Sequence, residues 1–381
     1  MRVLIVNSHG ADRTYGGAER YARALCQGLE AKGHEVEFLS AFPVPEEAGP
    51  HTYVLHSSDW RDDRLRRIRN HAGDVVSAPW PRLRAVVETA EPDLVHTNNL
   101  PGIATGIWET ARRLGIPVVH SLHDYQLLCP RTSLTRRDGR PCRPSPLLCG
   151  LRTRRLVRWT DGVRAVIGVS GHVLRRHEDL FPEDTARCVI SPPLEAIDGR
   201  RVVPPTRPPR ILGYLGALTP VKGVRLLLDA APSLVERGIE LRIAGDGPLR
   251  PEVEASDAVR YMGRIARADL GDFIAECDAG VVPSLWDEPG PLVVGEWVSC
   301  GRPVLATRRG GLVEAAQRGG VMSFDESAPA LVAAVDRLRD PAEWRRVLGT
   351  LPSVEGDADT KRWVDEHLAA YAVARDARRA T

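Results

Sequence analysis

Short apolar runs recur along the chain at intervals that leave room for one helix each, and they do so in two series. The first series is RVLIVNS, EVEFLS, DLVHTN, PVVHSL and AVIGVS; the second is ILGYLGAL, ELRIAGDG, VRYMG, AGVVPS and PVLAT. Apolar runs of this length alternating with helix-patterned segments predict parallel strands joined by helical crossovers, an α/β class of fold. Between the first two runs, Ala22, Leu25, Cys26 and Leu29 form one apolar stripe, which Gly33 ends. Between the two series lies RRVVPPTRPPR, Arg200–Arg210, which can continue neither a helix nor a central strand.

The expected architecture is therefore two doubly wound, Rossmann-like domains facing across a cleft. The first would span 1–198, the linker 199–210 and the second domain 211–356. A last helix over 357–381, with Trp363, Leu368 and Tyr371 as its apolar members, would cross back to the N-terminal domain. A chain of 381 residues is too long for one ordinary core.

Charge and composition narrow the function. The 52 basic and 50 acidic residues nearly cancel, so no overall field recruits nucleic acid. The seven cysteines show no paired CxxC spacing and read as reduced thiols, with a local disulfide or metal clip at Cys129, Cys142 and Cys149 the alternative. No secretory leader or membrane-length apolar run is evident, so a cytoplasmic protein is expected. One segment, Gly150–Arg164, mixes Arg with Leu, Val and Trp at helical spacing: a solvated face, a peripheral contact with an anionic membrane, or a site for an acidic acceptor.

In open parallel sheets ligands bind beyond the carboxyl ends of the strands, so the loops leaving those ends carry the chemistry. Gly16-Gly17 precedes a helix and fits either a flexible loop or a close approach of amides to an anion. His123 and Asp124 fall at a strand end, where an imidazole could share a hydrogen bond with a hydroxyl near its own pKa or serve only structure. His96, Asn98 and Asn99 end the preceding strand and could line the same space. Lys222, one of only three lysines, lies between Pro220 and Gly223 at a strand-to-helix turn suited to a phosphate. Glu288 and Glu296 flank a Pro-Gly-Pro whose Pro291 suits the first helical position, with the Leu292 and Val293 amides expected free. Carboxylates there would accept bonds from vicinal diols, with a diphosphate near the amides. Gly245-Asp246-Gly247 is followed by Arg250 where a dinucleotide fingerprint needs glycine, which disfavours a nicotinamide enzyme.

With GGAER, HDYQLLCPR, LGALTPVKG, AGDGPLR, EPGPLVVGEWVSCGRPVLAT and GGLVEA in view, nearly the whole chain resembles the retaining glycosyltransferases of family four, which have the GT-B fold. The resemblance implies transfer of a sugar from a nucleotide-diphosphate sugar, UDP being the commonest base, to a hydroxyl of a glycan, lipid-linked or specialised-metabolite acceptor. It implies that Gly16 and Gly17 line the diphosphate and acceptor side, and that His123 contacts the donor sugar near its reacting carbon. Lys222 would hold the diphosphate, Glu288 the sugar hydroxyls and Glu296 the ribose, with the backbone at Arg264 and Ile265 facing the base. His96, Asn98, Asp124 and Arg131 would lie on the acceptor side. It implies no metal and no cofactor besides the donor, and Asp357-Ala358-Asp359 reads as surface. The chain departs from the family at Ala217, where an arginine usually pairs with the lysine; Arg131 or Arg308 is expected to replace it. The alternatives are a nucleotide-sugar-binding protein without efficient transfer, favoured by Ala217, and another GT-B enzyme such as an epimerase or phosphorylase.

Overall fold

A computed structural model of the chain describes residues 1–9, 16–42, 51–56, 81–136, 139–142, 147–194 and 204–376. It divides into two compact units. The first holds Met1–Ser133, Pro144–Pro192 and Lys361–Thr381; the second holds Leu134–Arg143 and Pro193–Thr360. The expected linker over 199–203 falls outside the described residues, and 204–210 has no regular structure.

The first unit is built on a seven-stranded sheet in the order β3-β2-β1-β4-β5-β6-β7, every pair parallel. Its strands are β1 (Arg2–Asn7), β2 (Glu35–Ser40), β3 (Thr52–Val54), β4 (Leu94–Thr97), β5 (Val118–Leu122), β6 (Val163–Gly168) and β7 (Ala186–Val189). Val3, Leu4, Ile5 and Val6 are all fully buried, as a central strand covered on both faces requires. The second unit repeats the plan with six parallel strands in the order β10-β9-β8-β11-β12-β13. These are β8 (Ile211–Leu215), β9 (Glu240–Ala244), β10 (Arg260–Gly263), β11 (Ala279–Val282), β12 (Val304–Thr307) and β13 (Val321–Phe324).

All ten expected strands are present. The three that the apolar runs did not reveal, β3, β7 and β13, are all edge strands of three or four residues. An edge strand is covered less completely, so its sequence need not be a continuous apolar run.

The helix Asp357–Asp376 packs with the first unit through Trp363, Val364, His367, Ala370, Tyr371 and Ala374. Leu368, expected in that stripe, lies at its margin, and His367 takes the fully buried place. All seven cysteines are free thiols. No helix among the described residues is long and apolar enough to cross a membrane.

Candidate active site

In the second sheet β8 and β11 are neighbours although β9 and β10 lie between them in sequence. Chain progression reverses there, which is where open α/β sheets bind ligands. Of the loops that leave these two strands, one carries Lys222, the other Glu288. The Leu285 amide donates to the Val221 carbonyl at 2.8 Å and ties the loops together. They approach so closely that a Cβ on Gly223, which has φ +74°, would stand 1.9 Å from the Pro283 carbonyl oxygen. Glycine is required there twice over, by conformation and by space.

Across this junction Lys222 Nζ donates to Glu288 Oε1 at 2.7 Å. Ser284 Oγ donates to the same oxygen at 2.5 Å, and Thr307 Oγ1 on β12 fixes the Ser284 carbonyl at 2.6 Å. The Lys222 ammonium also lies 4.8 Å from the centroid of the Trp286 ring. Glu288 is held by its backbone too, since the Gly311 amide donates to its carbonyl at 2.6 Å. Gly310, at φ +53°, leaves room for that carbonyl. The side chain is buried, and Lys222 and Ser284 both bond its Oε1 and not its Oε2. Burial, then the charge of Glu288, pushes the Tyr214 phenol well above its ordinary pKa; its hydroxyl donates to the Ala217 carbonyl at 2.8 Å.

The next helix runs Leu292–Ser299, one residue later than expected. Pro291 is its N-cap, with a non-helical ψ of 82°. The Leu292 amide donates back to the Gly290 carbonyl at 3.0 Å, so it is engaged and not free as expected. Trp297, fully buried, pins this helix to the sheet by lying over Gly213 of β8 and Gly280 of β11, which are register partners. Glu296 projects from the same helix and pairs with Arg267 at 3.1 Å, its side chain 11% exposed. Arg264 is exposed and Ile265 half-buried just after β10, the latter packed on the core that holds Trp297. Ser284, Trp286 and Arg267 were not anticipated; only proximity to the acids marks them in sequence.

In the first unit β1 and β4 make the corresponding reversal. Asn7 Oδ1 accepts from the Asn99 amide at 3.2 Å, and Asn98 Oδ1 bonds His123 Nε2 at 2.9 Å. The Asn98 amide nitrogen faces the Val6 carbonyl at 3.4 Å, which assigns Oδ1 as an acceptor and places the His123 proton on Nε2. Burial lowers the His123 pKa to about 3, well away from the neutral range expected of it, so the ring is neutral and its Nδ1 is an acceptor. Burial raises Asp124 to about 6, and its Oδ1 accepts from the Gln126 amide at 2.7 Å. Arg131 is exposed.

One expectation among these residues, that for His96, is corrected. Gly16 is the extended N-cap of the helix Gly17–Ala31, but a Cβ on it would lie 1.9 Å from Glu19 Oε2. The buried Glu19 carboxylate thus folds over Gly16, while Gly17 is exposed. His96 is fully buried, with Nδ1 bonded to Tyr371 Oη at 2.6 Å and Nε2 to Ser121 Oγ at 2.8 Å. Both ring nitrogens serve the core, so His96 lines no ligand space.

That core network extends further. Tyr21 Oη contacts His367 Nε2 at 2.5 Å, and His367 Nδ1 donates to the Trp363 carbonyl at 2.7 Å. Burial lowers His96 far below its ordinary value, His120 to about 3, and His177 and His367 to about 4. The unfolded chain, with histidines near 6.5, binds more protons than the folded one below that pH, so these groups stabilise above 6.5 and lose that contribution toward 4. Asp124 acts in the opposite direction: its folded pKa is raised, so it favours the fold as pH falls through about 6. Several histidines outweigh one aspartate. Thermal unfolding is therefore expected to show a midpoint falling steeply between pH 6.5 and 4.5; a flat profile over that range is incompatible with neutral buried imidazoles.

Among the described residues no three His, Cys, Asp or Glu side chains are grouped to hold a metal ion. The family pattern "Glycosyltransferase Family 4" matches residues 15–194, and "Glycosyl transferases group 1" matches 209–340. A D-inositol 3-phosphate glycosyltransferase of Thermomonospora curvata is 27% identical over 96% of this chain and 92% of its own length. The fold matches sucrose-phosphate synthase from Thermosynechococcus elongatus with a TM-score of 0.67 at 19% identity, over 98% of this chain and 96% of that one. It also matches Anabaena HepE in complex with UDP and glucose, with a TM-score of 0.66 at 16% identity, over 100% of this chain and 99% of that one. With two doubly wound parallel sheets and family patterns spanning both, the chain belongs to the group 1, family 4 glycosyltransferases and has their GT-B fold.

Proposed function

We propose that this glycosyltransferase moves a sugar from a UDP-sugar to an acceptor hydroxyl with retention at the anomeric carbon, without a metal ion. The observation that carries the reading is the Lys222–Glu288–Ser284 cluster at the β8/β11 reversal. A phosphate and a polyol have opposite electrostatic needs, and this cluster offers a cation and a carboxylate side by side. Lys222 turns to the diphosphate and stabilises its leaving charge, while Glu288 orders the sugar hydroxyls through Oε2. Glu296 takes the ribose diol, with Arg267 holding its carboxylate in place. The acceptor hydroxyl attacks the face that the diphosphate leaves and passes its proton to the departing phosphate oxygen. His123 Nδ1, a neutral acceptor, takes a hydrogen bond from a donor-sugar hydroxyl.

The cation missing at Ala217 is supplied by Arg308, directly after β12, the strand beside β11. Its side chain is exposed, whereas Arg309 next to it is committed to Glu326 at 2.6 Å. Arg308→Ala is expected to lower kcat about 10²-fold, the scale of one lost stabilising donor. Undiminished turnover would exclude Arg308 and leave Arg131 to be tested in the same way.

The function is tested by incubating the enzyme with a panel of nucleotide-sugars and sugar acceptors in a metal chelator, following nucleoside diphosphate release and the anomeric configuration by NMR. An α-linked product from an α-linked UDP donor supports the assignment; inversion, or a requirement for added metal, overturns it. Tight donor binding with no diphosphate release would favour a binding protein, the outcome to which Ala217 lends weight.

A further inference from the structure

The first unit carries an outward patch in which large apolar and cationic side chains are interleaved. The segment Gly150–Arg164 is not one helix: an α-helix runs Leu148–Leu156, a 3₁₀ turn follows over Val157–Gly162, and β6 begins at Val163. The inner side of the helix is fixed to the body. Leu156 is 1% exposed, Thr153 Oγ1 donates to the Leu127 carbonyl at 3.0 Å, and Arg152 donates to the Gln126 carbonyl at 2.7 Å. The outer side is different. Leu147, Leu148 and Leu151 are 78%, 73% and 54% exposed, and Arg154, Arg155 and Arg158 are exposed beside them, the Arg158 guanidinium lying 4.7 Å from the centroid of the Trp159 ring. At about 100° per residue Leu148, Leu151, Arg154 and Arg155 fall within roughly one third of the α-helix circumference. From Leu147 to Thr160 there are four arginines and no acidic residue.

We propose that this face docks on an anionic lipid bilayer, the helix lying in the interface with its leucines among the acyl chains and its arginines at the headgroups. Three leucines exposed together are the largest such group on the described surface, and water gives them no return. Headgroup phosphates match the arginines, and only a partner with an apolar layer beneath its charge uses both features. An acidic polysaccharide or nucleic acid would engage the arginines and leave the leucines wet. Thr153, Arg152 and Leu156 make the helix a rigid platform, so little ordering is needed on contact.

The test is sedimentation with vesicles of phosphatidylglycerol and phosphatidylcholine against vesicles of phosphatidylcholine alone. Binding to the anionic vesicles only, weakening with salt, is expected. Each arginine near such a surface is worth roughly fivefold in affinity, so Arg154→Gln with Arg155→Gln should weaken binding about 25-fold. Leu148→Ser with Leu151→Ser should weaken it at least tenfold while leaving the thermal unfolding midpoint unchanged, because both side chains already face solvent. Failure to bind anionic vesicles, equal binding to both kinds, or binding indifferent to the leucine substitutions would each overturn the proposal. The last result, with retention on a soluble polyanion such as heparin, would identify an acidic macromolecule as the partner instead.

Discussion

Lys222→Ala is expected to lower kcat by two to three orders of magnitude while changing donor KM far less. In the metal-free transfer proposed above, the protein itself stabilises the charge that grows on the departing diphosphate, and removal of one preorganised donor at such a site costs about 10²–10³ in rate. The lysine is well placed for this. Its backbone is fixed between Pro220 and a glycine that tolerates no Cβ, and its ammonium rests against Glu288 and the Trp286 ring. Glu288 keeps its Ser284 bond in the variant, so the carboxylate stays oriented and sugar recognition persists. Lys222→Arg restores charge but not shape: a planar guanidinium is larger than the point-like ammonium that now fits against Glu288. It should recover only part of the rate. Rapid-quench measurement of the chemical step separates this from slow product release. A kcat within threefold of wild type for Lys222→Ala would mean that the leaving group is stabilised elsewhere.

The fold was legible because central strands of a parallel sheet are largely apolar: nine of the ten runs that stood out between helical segments are central strands, and the tenth, β10, is an edge. The positions of Lys222 and Glu288 were legible for a related reason: each sits in a loop leaving a strand end, and the loop's proline or glycine marks the turn, while Glu296 lies in the helix that follows. The partners of those residues were not. Ser284 and Trp286 resemble ordinary loop residues until Lys222 is brought 2.7 Å from Glu288, a contact between positions 66 residues apart. His96 shows the opposite failure. At a strand end it read as a ligand-facing group, but its partner Tyr371 lies 275 residues downstream, and nothing local announces that a terminal helix will bury it. Glu19 was overlooked because an acid in the first turn of a helix is common; that it folds over Gly16 is a matter of one rotamer.

Gly280→Ala should destabilise the second unit by about 1–3 kcal/mol and, independently of any chemistry, weaken nucleotide-sugar binding about tenfold. The Cβ would come 2.5 Å from Trp297 Cδ2 and 2.7 Å from Cγ, inside any real contact distance. The register partner, Gly213, shows how closely the ring lies on the sheet, since a Cβ there would meet Trp297 Cη2 at 2.4 Å. The indole must therefore lift from the sheet, and it takes with it the helix Leu292–Ser299, including Glu296. A displacement near 1 Å is small for the fold but large for a carboxylate proposed to accept two bonds from a diol. Trp297→Phe supplies the discriminating control. The smaller ring frees space over β11, so Trp297→Phe and Gly280→Ala together should be less destabilising than the sum of the two, a coupling readable in a double-mutant cycle by denaturant unfolding. Additive effects, or a Gly280→Ala protein as stable as wild type, would show that the helix bearing Glu296 is not set by the indole stacked on the two glycines.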